Sequence, residues 1–355
     1  MSEKVLMKGN EALAEAAIQA GCRLFFGYPI TPQTEVSAYM AKKMPKIGGT
    51  FLQAESEVAA INMVYGAAGA GARVMTSSSS PGISLKAEGI SYIAGADLPC
   101  VICNIVRGGP GLGGIQPAQS DYFQATKGGG HGDYKLIVLA PSGIQELVNL
   151  TVEAFDLADA YRMPVMIMGD GMLGQMMEPV AFGSYTPRKL EEKTWAANGT
   201  AGKRKHNVIN SLYIQPDELE NLVVARYKKY SEIERTEVKL EEYMCSDAEI
   251  IMVSYGTTAR IVKSAIKILR EKGVKAGLIR PITLWPFPGK TISQYADRVK
   301  NFLAVEMSMG QMVEDVRLAV NGEADVAFFG RTGGVVPSPA EVVAKVESIL
   351  GGAAK

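Results

Sequence analysis

Through its first 180 residues this chain alternates short apolar runs with helix-forming stretches, at the pace of a parallel α/β sheet. The runs at 23–26, 50–53, 73–76, 99–106, 136–139 and 164–168 read as strands, with helices between most of them. Asn10 is placed to cap a helix whose apolar positions are Leu13, Ala16, Ala17 and Ala20, closed by Gly21. Ser142-x-x-Gln145 reads as a capping box opening a helix to about residue 160. From 183 to 247 charges and turn residues dominate, with 199–205 irregular and an amphipathic helix expected over 216–243. A second α/β unit follows. Its strands are expected at 250–254, 276–279, 302–305 and 326–329, with a helix facing inward through Ile261, Ala265, Ile268 and Leu269. A last helix opens on Ser338-Pro339-x-Glu341, a capping box with proline at its first position. The expected organisation is a wound α/β domain over 1–182, a linker with a helical segment over 183–247, and a smaller α/β domain over 248–355.

A length of 355 residues fits two domains rather than one. Lys+Arg 37 against Asp+Glu 37 leaves no electrostatic footprint for nucleic acid or an anionic membrane. The N-terminus lacks a signal-type apolar core and no apolar run approaches ~18 residues, so a cytoplasmic chain without a membrane segment is expected. Four cysteines fit a reducing compartment. Cys100-x-x-Cys103 lies inside an apolar run and reads as two core residues rather than cluster ligands, with no second cysteine pair to complete a site.

Five segments can carry chemistry. Tyr28-Pro29-Ile30-Thr31-Pro32 follows the first of these strands, at the edge where open α/β sheets bind ligands. Thr31 there is either the N-cap of a rigid turn or a ligand contact. Glu57 opens a helix rich in alanine and glycine: it is either a dipole partner or a carboxylate held against a cofactor nitrogen, with Glu55 its competitor. The run Thr76-Ser77-Ser78-Ser79-Ser80-Pro81-Gly82 can hold an anion or form a solvated turn. Arg107 begins a glycine-rich loop containing Gln116, Gln119, Asp121 and His131, and its guanidinium suits a carboxylate fork unless it is a surface arginine. Gly169-Asp170-Gly171 followed by Asn198 has the spacing of a diphosphate–metal motif, but the intervening residues lack the helix and strand such a motif needs.

Together these segments resemble the α-type subunit of the 2-oxoacid:ferredoxin oxidoreductases, thiamine diphosphate enzymes that convert 2-oxoacids to acyl-CoA. The resemblance runs nearly end to end. It rests on Y-P-I-T-P at 28–32, Q-A-E-S-E at 53–57, T-S-S-S-S-P-G-I-S-L at 76–85, R-G-G-P-G-L-G-G-I-Q-P-A-Q-S-D at 107–121 and G-G-G-H-G-D at 128–133. The G-L-G-G-I-Q wording looks most like the branched-chain, 3-methyl-2-oxobutanoate type. The resemblance implies a pyrimidine-binding domain followed by a transketolase C-terminal-like domain. By position Glu57 matches the glutamate that hydrogen-bonds N1′ of the aminopyrimidine, with Ile30, Ser79 and Ser80 as further cofactor contacts. Thr31 matches a substrate-contacting threonine and Arg107 the arginine on the substrate carboxylate, with Tyr28, Gln116, Asp121 and His131 as further pocket residues. The diphosphate/Mg²⁺ site and a [4Fe–4S] cluster are implied on a separate β subunit, with γ and ferredoxin-like δ subunits, CoA as co-substrate and ferredoxin as acceptor. Three alternatives stay open: a 2-oxoglutarate- or pyruvate-specific member, a self-contained thiamine diphosphate transferase using Asp170 and Asn198, and a non-catalytic assembly subunit.

Overall fold

The computed structural model describes residues 4–183 and 185–352. The chain enters through a short strand, β1 (Val5–Lys8), and helix α1 (Gly9–Gln19). It then winds β2 (Leu24–Gly27), α2 (Thr34–Lys43), β3 (Thr50–Gln53), α3 (Glu57–Gly69), β4 (Val74–Ser78), α4 (Pro81–Gly95) and β5 (Cys100–Val106). After a long loop with the one-turn helix α5 (Tyr122–Thr126) come β6 (Ile137–Leu139), α6 (Ile144–Tyr161), β7 (Pro164–Asp170), α7 (Gly171–Gln175) and β8 (Met177–Val180). The second half holds α8 (Pro216–Thr236), β9 (Leu240–Tyr243), β10 (Ile250–Val253), α9 (Gly256–Glu271), β11 (Ala276–Pro281), β12 (Thr283–Trp285) and α10 (Gly289–Ala296). It closes with β13 (Asn301–Glu306), α11 (Met312–Val320), β14 (Asp325–Gly330) and α12 (Pro339–Gly352).

Two large sheets organise most of these elements, and β1 and β8 pair antiparallel in a small third one. The first has the order β12-β6-β7-β5-β4-β2-β3 and is parallel except for β12. Its central strands, β5 and β7, are buried along their whole length, as expected of a parallel sheet covered on both faces. Cys100 and Cys103 sit in that core, where burial pushes both thiols up to about 12. The second sheet has the order β14-β13-β10-β11-β9, parallel except for β9. Among the described residues no helix is long and apolar enough to cross a membrane.

Each sheet has one place where successive connections leave in opposite directions, which is where such sheets open a ligand crevice. In the first sheet β2 leads outward to β3 while the neighbouring β4 leads the other way to β5. In the second, β10 leads to β11 while β13 leads to β14.

Several local expectations are corrected. Helix α1 starts at Gly9 with Lys8 at its N-cap, and Asn10 is buried inside it, donating to Pro32 O at 2.8 Å and Glu35 at 2.9 Å. Helix α2 starts at Thr34 behind Gln33, so Thr31 caps nothing. At α6 it is Glu146, not Gln145, that accepts from the Ser142 N–H and hydroxyl, while Gln145 is drawn away to Ala181. The helix expected over 216–243 stops at Thr236, because the following residues form β9. Strand β12, from the second half of the chain, was not anticipated and completes the first sheet. The capping box at Ser338 forms as read, with Ser338 Oγ donating to Glu341 at 2.9 Å and accepting from the Glu341 N–H.

Candidate active site

The crevice between β2 and β4 is bounded by the loop 28–33 on one side and the turn 78–80 on the other. Gln33, fully buried, ties the two: its carbonyl accepts from Ser77 Oγ at 2.5 Å and its amide donates to Tyr28 O at 3.3 Å. The turn after β4 is unusual. Ser80 lies at φ 22°, ψ −80°, on the positive side of the map that non-glycine residues avoid. Asn104 from β5 holds it by accepting from the Ser80 N–H at 3.1 Å, and Asn104 in turn donates to Asp121 at 2.9 Å. Burial raises the proton affinity of Asp121 above the ordinary carboxylate range. Ser78 Oγ and Ser79 Oγ are buried without a hydrogen-bond partner among the described residues. Buried hydroxyls are normally paired, so two adjacent orphans mark a place where something else supplies the bonds.

Glu57 reaches the same turn from α3. Its helix is capped by Ser56, whose hydroxyl accepts from the Ala59 N–H at 3.2 Å, so the carboxylate is not needed as a cap. Glu57 is only 6% exposed, yet forms no hydrogen bond among the described residues. Gly82, on the first turn of α4, lets that helix approach the carboxylate closely. A Cβ there would sit 2.8 Å from Glu57 Oε1 and 2.0 Å from Ser78 Oγ. Glu55 is instead exposed and accepts from Ser56 Oγ at 2.8 Å.

Arg107, at the end of β5, closes the crevice. Its Nη1 donates to Thr31 O at 2.9 Å and its Nη2 to Leu112 O at 2.9 Å, while its Nε is buried and unpartnered. Two of five guanidinium donors are thus engaged, and a fork through Nε and a terminal nitrogen remains. Arg107 also borders a cavity of about 880 Å³, together with Ser80, Leu85, Asp121 and Met309. Tyr28 and Thr31 stand exposed at the rim, with Ile30 half-buried beside them.

Gln116 is exposed beside Arg107, its carbonyl accepting from the Gly108 N–H at 3.0 Å, and it packs against Gly334 of the second half, where an added Cβ would meet its own at 2.3 Å. His131 is exposed and borders a separate cavity with Ser91, Tyr92 and Tyr213. Asp170 is committed elsewhere: its carboxylate caps α7 by accepting from the Met172 and Leu173 N–H groups at 2.9 and 3.0 Å, and it takes the Thr257 hydroxyl. Asn198 is exposed in the linker, accepting from Arg204 at 2.8 Å. The buried cap and the exposed amide are held by unrelated partners.

Comparison with known proteins adds a frame. The family model described as pyruvate flavodoxin/ferredoxin oxidoreductase, thiamine diP-binding, matches residues 15–244, and pyruvate:ferredoxin oxidoreductase core domain II matches 248–342. Ketoisovalerate oxidoreductase subunit VorB of Methanothermobacter thermautotrophicus is 49% identical over 98% of both chains. The 2-oxoglutarate synthase subunit KorA of Archaeoglobus fulgidus is 39% identical over 92% of this chain and 95% of its own. The solved 2-oxoglutarate:ferredoxin oxidoreductase from Magnetococcus marinus superposes with a TM-score of 0.87 at 27% identity, covering 98% of this chain and 65% of that one. A split gene transketolase shares the fold, with a TM-score of 0.61 at 14% identity. The buried, unpartnered carboxylate at the first switch point thus stands in a thiamine-diphosphate-binding architecture, and the chain belongs to the 2-oxoacid:ferredoxin oxidoreductase family.

Proposed function

We propose that this chain is the α-type subunit of a cytoplasmic complex that oxidatively decarboxylates a branched-chain 2-oxoacid to its acyl-CoA, with ferredoxin as acceptor. The observation that carries the reading is Glu57: a buried carboxylate without a hydrogen bond among the described residues, set beside the orphan Ser78 hydroxyl where only a glycine, Gly82, fits. Such a group fits a ring nitrogen arriving from outside the chain. Thiamine diphosphate, when bound, supplies a carbon nucleophile and an electron sink. Glu57 then holds the proton shared with N1′ of the aminopyrimidine. Ile30 offers the ring an apolar side, and the Ser79 and Ser80 hydroxyls stand beside it. Arg107 binds the substrate carboxylate through the donors left free, Thr31 and Tyr28 line its approach, and Asp121 lines the adjoining cavity. Gln116 steadies the loop beside Arg107 through its bond to the Gly108 N–H, and His131 acts through the loop it belongs to.

The branched-chain assignment draws on the 49% identity to the ketoisovalerate oxidoreductase subunit, against 39% to the 2-oxoglutarate synthase subunit of Archaeoglobus fulgidus. The 1–182, 183–247 and 248–355 organisation accords with the two sheets, with β9 and β12 as the segments that cross it. Val58 and Met63 on α3 and Leu85 on α4 are exposed apolar side chains, suited to contact with a β subunit bringing the diphosphate/Mg²⁺ site and a [4Fe–4S] cluster. The γ and ferredoxin-like δ subunits would complete the electron path.

Calorimetric titration with thiamine diphosphate and Mg²⁺ tests this, first on the chain alone and then with its β subunit. Binding only in the mixture, together with a higher kcat/KM for 3-methyl-2-oxobutanoate than for 2-oxoglutarate or pyruvate in the full complex, is the expected result. Tight, Mg²⁺-dependent binding by the chain alone would overturn the shared site.

A further inference from the structure

The cavity beside Arg107 is walled by both halves of the chain, and its lining is poor in positive charge. Arg107 is the one cation in it among the described residues. Asp121 is the other ionisable side chain there, and a carboxyl group supplies no positive charge in either protonation state. The rest of the lining consists of hydroxyls, amides, glycine, proline and two larger apolar side chains, Leu85 and Met309. Met309 is 77% exposed and Leu85 55%, so neither is spent on filling a core.

Met309 is held in that wall by bonds on either side of it. It stands in the loop that leaves β13 at buried Glu306 and leads to α11. Before it, the Met307 N–H donates to Gln119 Oε1 at 2.9 Å and Met307 O accepts from the Gln119 N–H at 2.8 Å. After it, the Gln311 amide donates to Ser120 O at 2.7 Å and the Gln311 carbonyl accepts from the Phe123 N–H at 2.8 Å. Ser308 Oγ closes the turn between, accepting from the Gly310 N–H at 3.0 Å and donating to Glu306 at 2.9 Å. Gly310 lies at φ 100°, a conformation that residues with a side chain rarely adopt. The backbone around Met309 is thus fastened to 119–123, the segment that carries Asp121, while its own side chain stays open. Single exposed apolar residues are ordinary on a surface, but a rigid mount for one in the wall of a cavity that holds a carboxylate clamp has no use in packing.

We propose that Met309, together with Leu85, determines specificity for the side chain of the 2-oxoacid, so that the cavity takes substrates with a single carboxylate and an apolar tail. Arg107 engages the carboxylate next to the ketone. The tail lies against the Met309 thioether and the Leu85 methyls, a surface that adapts to branched chains of different shape. A second carboxylate, as in 2-oxoglutarate, would lose its water there beside Asp121 with no cation to replace it. This rests on the Arg107 and branched-chain readings given above and names the residues that enforce them.

The test is steady-state kinetics of the assembled complex, giving the ratio of kcat/KM for 3-methyl-2-oxobutanoate to that for 2-oxoglutarate. Met309→Lys sets a cation in the wall and should lower this ratio by about tenfold or more, with a gain in kcat/KM for 2-oxoglutarate. Met309→Leu restores an apolar wall and should keep the wild-type ratio. A ratio unchanged in Met309→Lys, or lowered only through loss of branched-chain turnover, overturns the proposal. So does a fall in Met309→Leu as large as that in Met309→Lys. Should Met309→Lys fail to assemble, Leu85→Lys decides by the same criteria. A wild-type complex that prefers 2-oxoglutarate removes the branched-chain reading and the proposal with it, whereas an unchanged ratio in a complex that prefers 3-methyl-2-oxobutanoate removes the proposal alone.

Discussion

The two switch points of this molecule have the same topology and opposite contents. At the second, between β10 and β13, no buried side-chain polar atom is without a partner among the described residues. Gln119, sent across from the first half, donates to Tyr255 O at 2.9 Å and accepts from the Thr258 hydroxyl and the Met307 N–H, both at 2.9 Å. Glu306, also fully buried there, accepts from the N–H groups of Gln311, Met312 and Val313 and from the Ser308 hydroxyl, at 2.9–3.2 Å. At the first, Glu57, Ser78 and Ser79 have no such partners. A buried glutamate is thus a structural plug where its bonds are made and a site where they are withheld. The difference lies in what surrounds it, not in the residue.

The comparison breaks first at Glu57. Glu57→Gln should leave fold and assembly intact while turnover in the complex falls by about 10²-fold or more. Glu55→Gln should stay near wild type, and the reverse pattern would misplace the site. Gln119→Ala should do the opposite. It leaves the Thr258 hydroxyl and the Met307 N–H without partners, while Tyr255 O keeps the Ala259 N–H, and should cost about 3 kcal/mol in denaturant unfolding, at ~1–3 kcal/mol for each buried group left unpaired. Near-neutral stability in that variant would mean that the second crevice is not held by its plug. Arg107→Ala should raise the apparent KM for the 2-oxoacid by about tenfold or more, with a smaller change in thiamine diphosphate affinity. Equal damage to both would assign Arg107 to holding Thr31 and Leu112 rather than substrate.

The smallest effect is one of pH. The folded-state Lys86 titrates near 7, below the unfolded value of about 10.4. Between those limits the unfolded chain holds a proton that the folded chain does not, so this residue's contribution to stability rises with pH across that window and is flat below it. Thermal unfolding of wild type against Lys86→Met should therefore show a gap that is widest near pH 7 and narrows towards pH 10. A gap independent of pH would mean that Lys86 is buried charged.

Much of this was legible beforehand because it is local. The period of the apolar runs placed the central strands of both sheets, and the loops after β2, β4 and β5 contain the residues that meet at the first crevice. What was illegible depends on distant partners. Leu-Glu-Glu-Tyr at 240–243 continues a helical pattern until β11 is there to pair with it. Thr283–Trp285 is too short to announce a strand without β6. Thr31 looked like a cap because the sequence did not reveal that Gln33 faces Ser77. Lys86, in the run Ile-Ser-Leu-Lys-Ala-Glu, reads as a solvated helix residue. Only the packing of α4 on β4 buries it.

Strand β12 is hydrogen-bonded to β6, although it lies between β11 and α10 of the other sheet. A segment stitched into its neighbour this way cannot swing free without stripping the edge of the seven-stranded sheet. Hinge opening between the two halves is therefore closed to this chain as a way of admitting substrate. Access and product escape must fall to loops at the crevice mouth or to relative movement of whole subunits. Limited proteolysis should release the two halves together rather than one after the other.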